Sequence, residues 1–537
     1  MKTAEKATMS NQHSLPKRQV VLTMAGVMLA LFLASLDQTI VGTAMPRIIT
    51  DLGGFTKYTW VITAYLIATT VTVLISGRLS DLYGRKWLLI TGISIFIVGS
   101  ILCGFSETMT QLIIFRGLQG IGAGAIMGLS FIIVGDLFPP AERGKYFGVL
   151  SGVFGISSVI GPTLGGFLTD TLSWQWVFFV NVPFGILIVL LFIFFLPHLR
   201  PDIKKPKIDY PGIITMALAV VPMMLALSWA GVGYEWLSPT IIGMFTFSVI
   251  MFLLFLRIES RSDEPIVPLW IFKNRIVSIS SITIFVLGFG MFASIIFVPL
   301  YFQGVLGTTA TTSGTFLTPM MLGVVMGAVT SGQLLSRAGG RYRFQGTAGI
   351  ALMATGLLLM SRMTVNTTNG MAIMSIVIMG LGLGITMPVY LIAVQNAVPH
   401  SVLGIATSTN AFFRSIGGAF GLAITGSVMN RTFLSEFTDN LPTSVAQAIP
   451  PERLNAIADN PQALVSPEAQ AQLQGLFANF GEQGAALLNN LLTTLRQALN
   501  TALSDIFLIS FVVVLIALIA SFFIKEIPLR KRDELEP

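Results

Sequence analysis

The stretch VVLTMAGVMLALFLASLDQTIVGTA, Val20 to Ala44, is a long apolar run broken by a single acid, Asp37. About 20 consecutive apolar residues cross a bilayer as one helix. An ionised carboxylate in hydrocarbon is costly, so an acid kept there marks a functional site and requires a partner. The run is too long for a signal-peptide core and has no small-residue cleavage site after it. It reads as a first membrane span with chemistry built into it.

The rest of the chain repeats this pattern. Of 537 residues, 53% are hydrophobic and only 11% charged, too little charge to cover a soluble chain of that length. The apolar runs do not alternate with polar residues, which excludes barrel strands and leaves helices. The predicted fold class is therefore an all-α membrane protein with about 14 transmembrane helices, roughly 17–25 residues each. The expected organisation is an N-terminus 1–19, a six-helix bundle 20–196, and a linker 197–275 holding two inserted helices. A second six-helix bundle follows at 276–525, interrupted by a long external loop 431–504, and the tail is 526–537.

Charge distribution orients the spans. With the amino terminus inside, 24 of the 32 Lys and Arg residues fall in cytoplasmic segments, 6 outside and 2 within spans. This positive-inside bias predicts a multi-pass protein of the cytoplasmic membrane with both termini cytoplasmic. The net charge of +7 is then topological, and no nucleic-acid partner is expected. A single cysteine, Cys103, excludes an intramolecular disulfide and a cysteine metal cluster. His13, His198 and His400 all fall at or beyond span ends, without metal-ligand spacing or a nucleophile beside them. An enzyme is not expected, nor a cofactor or metal.

Within the external loop, Gln470 to Leu503 has helical apolar spacing. It is expected either to lie on the membrane surface or over the mouth of the protein, or to be a variable loop without a transport role.

An internal repeat points to transport. GRLSDLYGRK, Gly77 to Lys86, follows span 2, and GQLLSRAGGR, Gly332 to Arg341, follows span 10. Weak symmetry of this kind accompanies transporters whose substrate site lies between the repeats. The second copy has no acid at the place of Asp81, so the halves are unequal.

Four motifs resemble those of the major facilitator superfamily, specifically its fourteen-span drug:proton antiporters. They are LDQTIVGTAMPRI (Leu36 to Ile48), the loop Gly77 to Lys86, FRGLQGIGAG (Phe115 to Gly124) and GVLSGVFGISSVIGPTLGG (Gly148 to Gly166). The last has Ser157 where the family usually has Gly. WVITAYLIA, WQWVFFVNVPFG, DYPG and NAFFRSIGGAFG are similar to further segments of these exporters.

The resemblance implies two six-helix bundles plus two inserted helices. It implies proton coupling at Asp37, with Arg116 as a second intramembrane charge at comparable depth, paired directly or through water. It implies a conformational latch at Gly77, Asp81, Gly84, Arg85 and Lys86, with Asp81 meeting a helix N-terminus or a basic side chain. It implies an antiporter motif at Gly161, Pro162, Gly165 and Gly166, kinked by the proline and packed closely against the other half. Polar and aromatic residues within spans give candidate cavity residues: Gln38, Tyr65, Gln119, Tyr301, Gln303, Tyr390, Asn410 and Arg414. Met and the remaining aromatics are assigned to packing or lipid contact. The function expected is proton-driven efflux of lipophilic, often cationic compounds by alternating access, by a monomer. A dedicated exporter of one metabolite, lipid or siderophore would share every motif, and a non-transporting membrane sensor would not need Asp37.

Overall fold

The computed structural model describes residues 16–53, 57–197, 207–231, 234–308, 310–337, 341–450, 454, 474–475, 477 and 482–529. His13, His198 and most of the 451–481 stretch lie outside the described residues. Fourteen helices among the described residues are long and apolar enough to cross a membrane. They are α1 (Lys17–Leu52), α2 (Tyr58–Tyr83), α3 (Arg85–Gly104), α4 (Met109–Leu137), α5 (Pro140–Thr171) and α6 (Trp176–Phe195). The inserted pair is α7 (Tyr210–Trp229) and α8 (Pro239–Glu259). Then follow α9 (Arg275–Leu300), α10 (Ala310–Arg337), α11 (Tyr342–Ser361), α12 (Asn369–Ala397), α13 (Leu403–Asp439) and α14 (Glu482–Ser521). With an even number of crossings, the start of α1 and the end of α14 fall on one face of the bundle, here the terminal face. The opposite face is the distal face.

Local chemistry sets the helix ends. Thr108, Asp209, Ser238, Asn274 and Thr368 each accept a backbone N–H of the helix they precede. The α2–α3 turn is made by Gly84 at φ 89°, a left-handed conformation that other residues enter only with strain. Helix α1 runs through Pro46 and stops at Gly53, φ 66°, so it ends beyond the Ala44 boundary expected from hydropathy. A proline removes one backbone bond, and here the helix continues past it.

The pairing of helices repeats eight positions along the chain. Contacts α2·α4, α3·α4, α1·α5, α1·α6 and α3·α6 recur as α10·α12, α11·α12, α9·α13, α9·α14 and α11·α14. Two seams join the halves, α5·α10 and α2·α13. The repeated loop glycines have a physical reason at these seams. A Cβ on Gly77 would overlap Ser408 and approach the Gly404 carbonyl, and one on Gly332 would overlap the Gly144 backbone. Each therefore lets two helices from opposite halves touch at the backbone. The inserted pair lies against the α2·α13 seam through α7, which packs on both helices of that seam.

Residues 482–503 form the first turns of α14 itself, continuous with its membrane span. This corrects the expected bounds of the external loop, 431–504: residues 431–439 continue α13 and 482–503 belong to α14, so the described part of Gln470 to Leu503 is neither a loop nor a separate surface helix. Its apolar spacing packs inward: Leu491, Leu495, Leu499 and Leu503 are buried in the same core as Phe433 and Phe437 of α13. The two long helices thus project together past the distal face.

Candidate functional site

Asp37 is fully buried, and four side chains from three other helices converge on it or its partners. Arg116 Nη1 on α4 donates to Asp37 Oδ2 at 2.5 Å. Gln119 Nε2, one turn along α4, donates to Asp37 Oδ1 at 2.8 Å, and Asn181 Nδ2 on α6 donates to the same oxygen at 2.9 Å. Gln119 Oε1 accepts from Arg116 Nη1 at 2.7 Å, so the amide ties the ion pair together from both ends. Ser100 Oγ on α3 accepts from Gln119 and Asn181 at 2.7 and 3.2 Å. The Arg116 guanidinium lies 4.0 Å over the Tyr65 ring, while the Tyr65 hydroxyl donates to the Ala34 carbonyl at 3.3 Å. This is how two charges are tolerated in hydrocarbon: both are paired and hydrogen-bonded, and the guanidinium is also covered by an aromatic face.

Of the two arrangements expected for Asp37 and Arg116, direct or through water, the structure has the direct pair. Sequence inspection had not placed Asn181 or Ser100 here. Asn181 belongs to the quoted WQWVFFVNVPFG segment, but only the packing of α6 against α1 and α3 reveals its direction.

A second cluster closes the terminal face. The Asp81 carboxylate accepts from the backbone N–H groups of Gly404 and Ile405, at 3.0 and 2.9 Å, at the start of α13. Anions are favoured at helix N-termini, and here the helix belongs to the opposite half. Arg85 bridges Asp81 (2.8 Å) to Asp136 of α4 (2.8 Å), and His400 Nε2 lies 3.2 Å from Asp136. Arg143 of α5 donates to Gln395 of α12 at 3.1 Å, which in turn donates to Thr407 of α13 at 3.0 Å. Lys86 departs from the cluster: its Nζ donates to the Ile193 carbonyl at 2.8 Å, at the end of α6. Asp136 and His400 were not among the expected latch residues, because they join it only across the bundle.

Between the halves lies a cavity of about 140 Å³. Gln38, Thr69, Ser151 and Arg414 line it, and Arg414 and Asn410 also line a narrow extension of it. Thr70 and Ser415 add two hydroxyls, and the remaining walls are apolar, from residues such as Met127, Phe131, Phe154, Met291, Phe292 and Met387, with Met224 contributed by inserted α7. Of the expected cavity residues, Gln38, Asn410 and Arg414 are therefore in place. Tyr65 and Gln119 are sealed in the Asp37 cluster. Tyr301 donates its hydroxyl to the Thr364 carbonyl at the distal end (2.9 Å), Gln303 lies in the π-helical turn Tyr301–Val305, and the Tyr390 ring packs over Gly346 of α11. These three do not line the cavity, since polarity marks a residue for a site only when its helix face also turns that way.

The α5 motif also packs differently from expectation. Pro162 lies inside α5, as expected. Gly161 and Gly165 face Thr39, Ile40 and Thr43 of α1 in the same half, and nothing approaches Gly166 within 4 Å. Contact with the other half is made earlier on α5, where Gly144, Gly148 and Gly155 meet Gly332, Ala328, Val329 and Val325 of α10. Ser157, replacing the usual Gly, also faces α1: its carbonyl accepts from Thr39 Oγ1 at 3.3 Å. The motif thus holds the helix that carries Asp37.

Comparison with known proteins agrees with this architecture. The chain is 38% identical to the multidrug transporter protein MdtP of Bacillus subtilis over 98% of this chain and 96% of that protein. It is 35% identical to multidrug resistance protein 3 of Bacillus subtilis over 95% and 96%. Among solved structures, the proton:xylose symporter XylE aligns with a TM-score of 0.59 at 12% identity, covering 97% of this chain and 99% of that one. The human organic anion transporter MFSD10 aligns with a TM-score of 0.56 at 13% identity, covering 93% and 100%. At such identities the two structures speak for the fold alone. The family profile described as Major Facilitator Superfamily matches residues 27–422. With that match, the repeated helix pairing and the fourteen spans, the chain belongs to the Major Facilitator Superfamily.

Proposed function

We propose that this protein is a proton-driven multidrug exporter of lipophilic compounds, acting as a monomer by alternating access. The observation that carries the reading is the Asp37 cluster. A fully buried carboxylate is held by donors from α4 and α6, and the next residue, Gln38, lines the central cavity. Protonation of Asp37 would remove the charge that holds Arg116, so a proton and the packing of α1 against α4 are coupled through one bond. Because Gln38 follows directly, any shift of α1 is felt at the cavity wall. The names of the two Bacillus relatives support drugs as cargo. The Lys and Arg distribution supports a cytoplasmic terminal face, and the Asp81 cluster would then latch the outward-facing state.

Lipophilic substrates suit the apolar walls. A cationic preference has less support, because among the described residues no carboxylate lines the cavity, and a cation would have to draw Asp37 away from Arg116. The test is whole-cell efflux of a compound panel with and without a protonophore. Efflux of several unrelated compounds, lost on adding protonophore and in Asp37→Asn, is expected. Efflux of one compound only would favour a dedicated exporter, and efflux indifferent to protonophore would overturn proton coupling.

A further inference from the structure

The cavity contains a charge that the Asp37 cluster does not use. Arg414 lines both the cavity and its narrow extension. Among the described residues its side chain makes no hydrogen bond and no ion pair, and no carboxylate lines either space. Asp37 and Arg116 neutralise each other, so the cavity wall as a whole carries one uncompensated positive charge. Membrane arginines are normally paired or drawn to an interface. Arg414 is 11 residues past the start of α13, roughly 16 Å along the helix at about 1.5 Å per residue, and its backbone is fixed. A Cβ on Gly288 of α9 would overlap the Arg414 carbonyl, so the two helices touch there.

A second donor without an acceptor lies beside it. Asn410 lines the same extension, and its Nδ2 is buried with no hydrogen-bond partner. A buried donor left unsatisfied is destabilising, and native proteins keep such groups mostly where a ligand or ion completes them. Ser151 adds a hydroxyl to the same wall.

We propose that Arg414 and Asn410 form an anion-binding subsite, and that the preferred cargo is an amphipathic monoanion: one carboxylate or sulfonate on an apolar body. This rests on the exporter reading, since it names the substrate class of the same cavity. The head group takes charge-assisted hydrogen bonds from the guanidinium and the amide. The apolar body lies against Phe131, Met291, Phe292 and Met387. These flexible thioethers and rings accept varied shapes, so breadth in the body combines with selection at the head.

The test uses the full chain in liposomes with an imposed proton gradient, and two probes of one shape: a naphthalenesulfonate, ionised at every working pH, and the neutral naphthalenesulfonamide. Equilibrium dialysis of each labelled probe against the purified protein runs alongside. Wild type is expected to bind and transport the sulfonate in preference. Arg414→Gln should lower sulfonate transport and binding at least tenfold more than it lowers those of the sulfonamide, and Arg414→Lys should restore most of the difference. An equal loss of both probes in Arg414→Gln would show a packing role and overturn the subsite. Wild-type transport of the sulfonamide without binding of the sulfonate would also overturn it, leaving the exporter reading intact. Sulfonate binding that depends on Arg414 without any transport would uphold the subsite and overturn the exporter reading.

Discussion

At the scale of single residues, the buried ion pair sets the expectations. Replacing Arg116 by Ala leaves the Asp37 carboxylate in hydrocarbon without its cation. Breaking a buried pair from one side typically costs about 3–5 kcal/mol. Arg116→Ala should therefore lower thermal stability markedly and abolish coupled transport, as read by melting in detergent and by proteoliposome flux. Asp37→Asn keeps shape and an acceptor oxygen but cannot carry a proton; it should insert normally and lose coupled efflux by on the order of 100-fold, using the general scale of removing an essential proton carrier. Near wild-type pumping by Asp37→Asn would sink the proposed mechanism. Asn181→Leu removes a donor to Asp37 Oδ1 without touching the ion pair, and should slow coupled transport while substrate binding by dialysis stays measurable. Asp37 and Arg116 were legible in the sequence because charge stands out against an apolar run. Asn181 and Ser100 were not, because a neutral polar residue in a span is common and its helix face is unknown until the bundle is assembled.

At the scale of helices, the terminal face is held by contacts between an acid on one half and a helix N-terminus on the other. Asp81→Asn weakens both backbone hydrogen bonds to α13 and the bridge through Arg85. Turnover should fall severalfold while affinity changes little, since Asp81 itself lines neither the cavity nor its extension; spin labels on the terminal ends of α2 and α13 should report a wider distance. A tenfold loss of affinity at unchanged turnover would contradict the assignment. Gly332→Val should act in the same direction at the other seam, because its side chain would displace the Gly144 backbone. The loop motif was readable, including the meeting of Asp81 with a helix end. The partner helix was not, because Gly404 is more than 300 residues away and only the pseudo-symmetric packing brings it there. The α5 glycines teach the reverse lesson: small residues announced close packing, but not with which neighbour.

At the scale of the whole molecule, fourteen spans and the repeat followed from hydropathy and from two short loops, since membrane burial leaves so few alternatives to a helix. The cavity walls did not follow, because Met and Phe facing a cavity look like Met and Phe facing lipid. The distal projection was also hidden, for a loop and the extension of two helices share the same polar composition. Deleting 440–490 and joining the ends with a flexible linker removes Val445 and Ile449, which pack in the core with α14, but leaves Leu495, Leu499 and Leu503 of α14 in the same core as Phe433 and Phe437 of α13. The variant should insert, melt a few degrees lower (about 4–8 °C per kcal/mol for a small domain, less for a larger chain) and still export. Loss of all transport from a correctly inserted variant would show that the projection takes part in the cycle.

The inserted helices give the molecule a spine. At the distal face, Trp229 packs edge-on against Trp60 at 5.2 Å and Ser228 lies 3.4 Å from Thr63, both on α2. Across the same seam, Trp236 donates to Ser427 at 2.9 Å and Asn430 donates to the Gly231 carbonyl at 3.3 Å, both on α13. The α7–α8 pair is thus stitched to both covers of the book along one edge. Among the described residues, the fore-edge, α5 against α10, carries no inserted helix pair across it. On the proposed alternating-access cycle, two halves bound on one side should turn about the stitched edge, with the gap widest at the free one. Cutting the stitches with Trp236→Ala and Trp60→Ala should make the opening more even, visible as a larger distal separation of α2 from α13 relative to that of α5 from α10.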